Sequence, residues 1–424
     1  MIRKTVLLLA LATAFNAVAE APKISFKKLK LSDEFWSEGA DIADFDQDGH
    51  QDIVAGPFIH WGPAFTEKTV FSAPKPDRNK PVTDEEYVPN FEAFASGPRK
   101  AYDPLGYSDY FLTYTYDFNG DSLQDILVFS WPGDITAWYE NPGSARKKAA
   151  AWKRHIVFDV TDNESPQLGD MDGDGKPELI CHSGGRLGFV SLDWSNPGAK
   201  GTYHAISKPD IKKYFRYTHG YGFGDINGDG RPDILDKDGW REQPAQAAEE
   251  WVFHAVPFAP EGKRGGAQMQ VYDVNGDKRN DIITSWDGHG YGLAWYEQAE
   301  DGTFKEHQLM GATEAESPHK VKFSQLHATT MADIDGDGVQ DFITGKRFWA
   351  HGPNKDDEPG APAVLYWFQI KRDGKGGAEL IPHLIDDDSG VGTQVTSKDI
   401  NGDSLADVIV SNKKGLFVFF QERK

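Results

Sequence analysis

Seven sets of oxygen-bearing side chains recur along this 424-residue sequence at one internal spacing. The first is Asp44, Asp46, Asp48 and Asp52, followed at once by Ile53 and Val54. Next come Asp117, Asn119, Asp121 and Asp125, then Asp170, Asp172, Asp174 and Glu178. The fourth set is Asp225, Asn227, Asp229 and Asp233, and the fifth is Asp273, Asn275, Asp277 and Asp281. The last two are Asp333, Asp335, Asp337, Asp341 and Asp399, Asn401, Asp403, Asp407. Each places oxygens at positions 1, 3, 5 and 9 of a short glycine-containing loop. Hard oxygen ligands at alternate positions of a tight loop suit Ca²⁺. An EF-hand carries a bidentate Glu at position 12. Here position 12 of the first loop is Ala55, inside an apolar run, so the loop feeds a strand rather than a helix. Up to seven calcium sites are expected, with the four Asn-containing loops the weaker binders. The 24 carboxylates at these positions leave 42 of the 66 acids against 45 bases. The net charge of -21 therefore resides in the loops.

The elements that must carry these loops follow a strand grammar. An apolar pair after each loop opens one strand. An aromatic strand follows, as in Leu293 to Glu297, Ala137 to Glu140, Leu365 to Gln369 and Leu416 to Gln421. A fourth strand carries a histidine two or three residues after an apolar one: Trp152 to His155, Phe304 to His307, Leu380 to His383. With the strand that enters the loop, each repeat has four strands. Four-stranded repeats at this spacing predict an all-β fold, a seven-bladed β-propeller with a calcium loop between the first two strands of each blade. The chain ends just after the third strand of the last repeat. Residues 24–31 match the fourth-strand pattern, so the N-terminal strand is expected to complete the last blade and remove two free edges.

The histidines then sort by position. His155, His204, His254, His307 and His383 share the fourth-strand position and read as structural, and His50 sits in a loop. His60, His182, His219, His289, His319, His327 and His351 do not follow the repeat. Counting back six residues from each loop's first Asp gives Glu38, Phe111, Glu164, His219, Ala267, His327 and Thr393. These ring one mouth of the channel, on the face opposite the calcium loops. The connections after the second strands add His182, Arg186, Lys237, Trp240, Trp286, His289, Lys346, Arg347, His351 and Lys413 to that face. Tyr107, His319 and Lys320 join from strand-linking segments. A site of imidazole, carboxylate, guanidinium and aromatic groups can bind a polyhydroxylated ligand and move protons. In the catalytic reading a histidine abstracts a proton α to a carbonyl, Arg347 or Lys346 stabilises the oxyanion, and a second histidine or Glu164 protonates the leaving oxygen. That is β-elimination or dehydration of a keto-sugar or uronate. His219, His289 and His327 are alternatively ligands for a transition metal. Glu38 and Glu164 form a glycosidase pair only at the right separation.

The repeats resemble the FG-GAP/VCBS family, the calcium-loop propellers also found in integrin α-subunits, over nearly all of the chain after its N-terminal segment. That resemblance implies fold and calcium, and leaves function open. A further similarity, to the propeller domains of aldos-2-ulose dehydratases, rests on His327 to Thr330 (HATT) and Gly345 to Gly352 (GKRFWAHG). It implies sugar dehydration. The cupin domains of those enzymes have no counterpart here, so their isomerase-type activity is not implied.

Other classes lose ground on composition. The negative charge opposes a general nucleic-acid binder. One cysteine, Cys181, excludes an internal disulfide framework. Phosphate-loop, nucleophile-elbow and His-Glu-x-x-His motifs are missing. Arg3 and Lys4, the apolar run to Phe15 and the small residues Ala17 and Ala19 read as a signal peptide over residues 1–19. No stretch is long and apolar enough to span a bilayer. The expectation is an exported protein, periplasmic or extracellular, with one propeller domain over residues 20–424 and an insertion at 72–107. Its partner is a carbohydrate. The alternative is a non-catalytic carbohydrate-binding, adhesion or protein-interaction propeller. A lectin propeller repeats its binding residues in every blade, whereas here they differ, which favours one asymmetric site.

Overall fold

A computed structural model describes residues 23–74, 91–97, 99–148, 151–246 and 250–424. The expected signal peptide and residues 75–90 of the 72–107 segment lie outside the described residues. The strands that follow the acidic loops, such as Asp125–Phe129, Asp281–Ser285 and Asp407–Asn412, are buried along their whole length. Each lies inside a sheet packed on both faces, which is why their sequences run apolar without alternation. The described helix is limited to one six-residue α-helix, Phe91–Ser96, and two 3₁₀ turns.

Five four-stranded sheets and one eight-stranded sheet make an all-β, propeller-like fold. The four-stranded sheets are antiparallel. The eight-stranded sheet consists of two such meanders joined by their first strands, Tyr221–Gly224 and Gln268–Tyr272, which pair in parallel at Tyr221–Gln268 and Gly222–Met269. Strand Ile24–Ser32 pairs antiparallel with Gly415–Arg423, from Ile24 opposite Arg423 to Ser32 opposite Leu416.

The core is divided among the faces between neighbouring sheets. Val54 and Ile59 pack on Ile126 and Val128. Leu127 and Phe129 pack on Leu179 and Cys181. The pattern continues until Ile409 and Val418 of the last sheet meet Ile53 and Ala55 of the first. Ring closure brings backbones close: Thr393 donates its N–H to Glu38 O at 3.0 Å or less (2.9 Å), and a Cβ on Gly392 would stand 1.9 Å from the Glu38 carbonyl oxygen.

Two devices recur, one in every acidic loop and one at five of the outer strands. The position-9 carboxylate of each loop is buried and accepts backbone N–H groups, as when Asp281 accepts from Val274 and Gln298 and Asp407 from Ile400 and Gln421. This ties the loop to the end of the third strand. At the outer edge, the fourth-strand histidine lies flat on a third-strand aromatic ring. Trp138–His155, Trp240–His254 and Trp295–His307 stack at 4.1, 4.0 and 4.3 Å. Glu140, Glu242 and Glu297, two residues after each tryptophan, contact the same histidines at 2.8, 2.9 and 2.7 Å. Phe189–His204 and Trp367–His383 repeat the stack without the Glu.

Candidate metal centre and ligand pocket

The acidic loops curl so that position 1 accepts backbone N–H groups from the far side of its own turn. Asp333 accepts from Gly336, Asp337 and Gly338, and Asp399 from Gly402, Asp403 and Ser404. Three loops bring ligand oxygens within 4.8 Å of one another: Asp44, Asp46 and Asp48; Asp170, Asp172 and Glu178; Asp333, Asp335 and Asp341. These are the three loops without asparagine. In the other four, the Asn at position 3 donates to the Asp at position 5, as Asn119 to Asp121 at 3.2 Å and Asn401 to Asp403 at 3.0 Å. Arg231 and Arg279 also pair with Asp229 and Asp277. Those carboxylates are already partnered within the protein. Burial pushes the position-9 acids up, Asp52 to about 6 and Asp341 to about 7, against the backbone N–H bonds that lower them. A cation in the loop would act in the opposite sense.

On the other face, three histidines from separate parts of the chain meet. His219 precedes the strand Tyr221–Gly224, His289 lies in the turn after Asp281–Ser285, and His327 lies in Leu326–Ala332. Their ring centroids are 4.8 to 4.9 Å apart, and a nitrogen from each lies within 4.8 Å of the others. All three are buried. A β-bulge sets His327: Leu326 pairs with Lys346 and Thr329 with Thr344, so His327 and Ala328 oppose Gly345 alone. A bulge of this kind re-aims a side chain. Just before it, Gln325 adopts φ 61° and stitches the site together. Its N–H donates to Gly290 O, its carbonyl accepts from Arg347, and its side-chain oxygen accepts from Ala350. Gly288 makes room for the rings: a Cβ there would lie 2.8 Å from His219 Cδ2 and 3.2 Å from His327 Nε2.

Carboxylates surround the imidazoles. Glu164 Oε2 lies 3.4 Å from His219 Nε2, and Asp356 Oδ1 lies 3.4 Å from His289 Nδ1 and 2.9 Å from His351 Nδ1. Among the described residues, these carboxylates are the only partners of His219 Nε2 and His289 Nδ1, which are buried and make no closer hydrogen bond. Burial, only partly offset by Asp356, lowers His289 to about 4. Burial and then Arg347 hold His327 well below the usual histidine range. For Glu164 burial acts upward, but His219 and Arg347 outweigh it and bring the carboxyl to about 2.

Arg347 is enclosed beneath this cluster, 1 % exposed, with Nη2 3.0 Å from Glu38 and Nη1 3.6 Å from Glu164. It therefore serves as counter-ion to two carboxylates and does not face the cavity. Lys346 points elsewhere. Its Nζ donates to Ser324 Oγ at 2.6 Å, and burial lowers it to about 8. Successive residues of an extended strand face opposite sides, so Lys346 and Arg347 cannot share one site.

Above the cluster opens a cavity of about 300 Å³ lined by Tyr107, Trp131, Glu164, Phe215, Tyr217, His219, Arg264, His289 and His351. Tyr107 and Trp131 lie 4.1 Å apart, and Trp131 and Tyr217 5.7 Å, forming an aromatic wall. Arg264 reaches Asp287 through Nε at 3.1 Å and Nη2 at 2.9 Å. His182 is not in this cavity; it is enclosed against Tyr214 and Tyr221. His319 pairs with Glu379, and His60 is buried within the strand Phe58–Trp61. Asp356, Asp287 and Arg264 escaped the sequence reading. Asp287 and Asp356 lie in the strand connections that supplied His289 and His351, and counting acids as well as histidines there would have found them; Arg264 lies in the connection before Gln268–Tyr272.

The FG-GAP-like repeat profile matches residues 117–181, 170–235 and 273–344. No curated protein sequence matches the chain. Among solved structures, the chain is similar to an Agrocybe aegerita lectin described for specific recognition of non-reducing terminal N-acetylglucosamine. The identity is 17 % over 87 % of this chain and 82 % of that one, with a TM-score of 0.44. It is also similar to BBS1N in complex with ARL6DN, at 10 % identity over 91 % and 92 % of the two chains and a TM-score of 0.47.

Proposed function

We propose that this chain is a calcium-loop propeller of the FG-GAP/VCBS type, exported after cleavage of residues 1–19, that acts on a carbohydrate through a metal centre on the face opposite its acidic loops. Seven blades follow if the eight-stranded sheet is counted as two blades joined at their inner strands. Calcium belongs in the loops, first in the three whose four ligands are all carboxylates.

The observation that carries the reading is the convergence of His219, His289 and His327, all buried, with a nitrogen of each within 4.8 Å of the others and the nearest carboxylates to His219 and His289 no closer than 3.4 Å. Buried polar atoms without close partners are costly. A ligand that takes their lone pairs removes that cost. Three imidazoles suit a divalent transition metal such as Zn²⁺ and leave a fourth position open. Glu38, Glu164 and Asp356 outnumber the one buried guanidinium of Arg347, so the surroundings attract a cation. Such a metal would polarise a sugar carbonyl. Trp131 and Tyr217 offer faces for the ring. His351, 40 % exposed and held by Asp356, is the most exposed of the imidazoles that line the cavity. It takes the proton from the carbon α to the carbonyl, the C–O bond at the β-carbon breaks, and the same imidazolium returns the proton to the leaving oxygen. Arg347 pairs with Glu38, helps keep Glu164 ionised beneath the histidines and does not touch the substrate. Lys346 has no part in this scheme.

A second reading, a non-catalytic carbohydrate-binding propeller, is favoured by the aromatic wall alone. Metal analysis of the purified protein and an ultraviolet scan between about 230 and 265 nm with keto-sugars and uronate oligosaccharides test the two. About one transition metal per chain, lost in His327→Ala together with a new enone or unsaturated-uronate band, supports the metal-dependent elimination. Binding of the same sugars with no band and no metal supports the second reading.

A further inference from the structure

In a chain of net charge -21, one groove departs from the general sign. It lies between the outer strands Thr202–Ala205 and Val252–Ala255, which have only four residues each, whereas Lys153–Thr161 and Ala378–Asp386 have nine. The short edges leave open a cavity of about 690 Å³. Four cations line it: Arg186, Lys208, Lys213 and Arg241. Among the described residues, Arg186 and Lys208 make no ion pair. Arg241 Nη2 donates to Tyr214 OH at 3.2 Å, but its Nη1 is buried with no hydrogen-bond partner. Lys213 is shared between Asp238 at 2.9 Å and Asp236 at 3.5 Å. The lining acids are Asp210, whose side chain accepts the N–H groups of Lys212 and Lys213, and Glu250.

Aromatic faces accompany the cations. The Arg241 guanidinium sits 4.4 Å from the centroid of Phe253, and Lys213 Nζ sits 5.2 Å from both Phe253 and Tyr214. Phe253 remains 41 % exposed. Trp251, Ala205 and Ile206 line this cavity and also a second one of about 700 Å³, so the two share a wall. One segment separates the groove from the pocket over the histidines. Lys213 and Tyr214 face the groove, and Phe215 and Tyr217 face the pocket.

We propose that this groove binds an anionic saccharide unit, a pyranose that carries a carboxylate or a sulfate ester. The guanidinium of Arg241, with Arg186 and Lys208, recognises the anion. The exposed ring of Phe253 and the Trp251 side chain take the apolar face of the sugar. An extended acidic peptide would pair with an edge strand, and four-residue edges give it little to pair with. The site is independent of the metal centre and of the elimination chemistry.

Titration calorimetry on the calcium-loaded full chain decides the matter, with four probes of matched length: an oligogalacturonate, a sulfated galactan oligosaccharide, a neutral galactan oligosaccharide and a glutamate peptide. At least one anionic saccharide binds tenfold or more tighter than the neutral one, and added salt weakens it. The exposed double variant Arg186→Glu/Lys208→Glu loses at least tenfold in that affinity with an unchanged melting temperature, and Arg241→Gln also weakens it. His351→Ala leaves it unchanged, which separates the groove from the central pocket. Whichever anionic probe binds identifies carboxylate or sulfate as the anion. Equal binding of the neutral sugar, no effect of the charge reversal, binding abolished by His351→Ala, or a glutamate peptide that binds as tightly as either saccharide overturns the proposal.

Discussion

Gly288 shows how much of the histidine cluster depends on one absent side chain. A Cβ at that position would press on His219 and His327 at 2.8 and 3.2 Å. Gly288→Ala is expected to weaken transition-metal binding about tenfold or more, the range seen when groups that orient metal ligands are changed. Calcium uptake should not change; a chelator-competition titration measures both. His182 makes a different prediction. It is fully buried, both ring nitrogens lack partners, and burial lowers it to about 3, with Lys213 acting in the same direction. Its folded value lies below its unfolded one. The unfolded chain therefore takes up the proton first, and stability falls as pH drops from about 6.5 toward 3, by about 1.4 kcal/mol per unit. His182→Phe keeps an aromatic ring against Tyr214 and Tyr221 and removes this loss. Denaturant midpoints at pH 7 and pH 5 should show the variant gaining on the wild type by about 2 kcal/mol. Equal pH dependence in the two proteins would refute the assignment.

At the level of elements, five outer strands are held by a stacked histidine, three of them with a glutamate as well. His307 lies 4.3 Å from Trp295 and 2.7 Å from Glu297. His307→Ala removes the stack and the hydrogen bond, together about 1–2 kcal/mol. The same change at His155 and His254 should cost a similar amount, and the losses should add because the sites are far apart. Urea denaturation of the single and triple variants checks both statements. These histidines were readable as structural from their recurrence. The bulge that turns His327 inward was not, because it depends on pairing with the strand Asp341–Lys346. The divergence of Lys346 and Arg347, offered as alternative oxyanion ligands, was not legible either, because it depends on how the strand end is buried.

For the whole molecule, the acidic loops and the ring of sheet interfaces set stability together. Each loop filled at about 100-fold over its dissociation constant adds about 2.7 kcal/mol. The three all-carboxylate loops would then contribute on the order of 8 kcal/mol. Calcium should raise the melting temperature substantially, and Asp170→Asn/Asp172→Asn should remove part of that rise. Calorimetry with and without calcium tests this, and identical melting would reduce the loops to acidic turns. The strand order within each repeat, the position of the acidic loops and the separation of structural from irregular histidines were legible in sequence, because local spacing and apolar periodicity recur with each repeat. The identity of the site was only half legible. Counting from the loops put His219 and His327 on one face, and the connections after the second strands added His289 and His351, but those connections also supplied His182, which is sealed behind tyrosines. Which imidazoles meet, which carboxylates hold them and which cation lies beneath them depend on loop paths between residues more than 100 positions apart, such as His219 and Asp356. Repeat grammar carries no information about those loops; the packing of inner strands around one axis decides them.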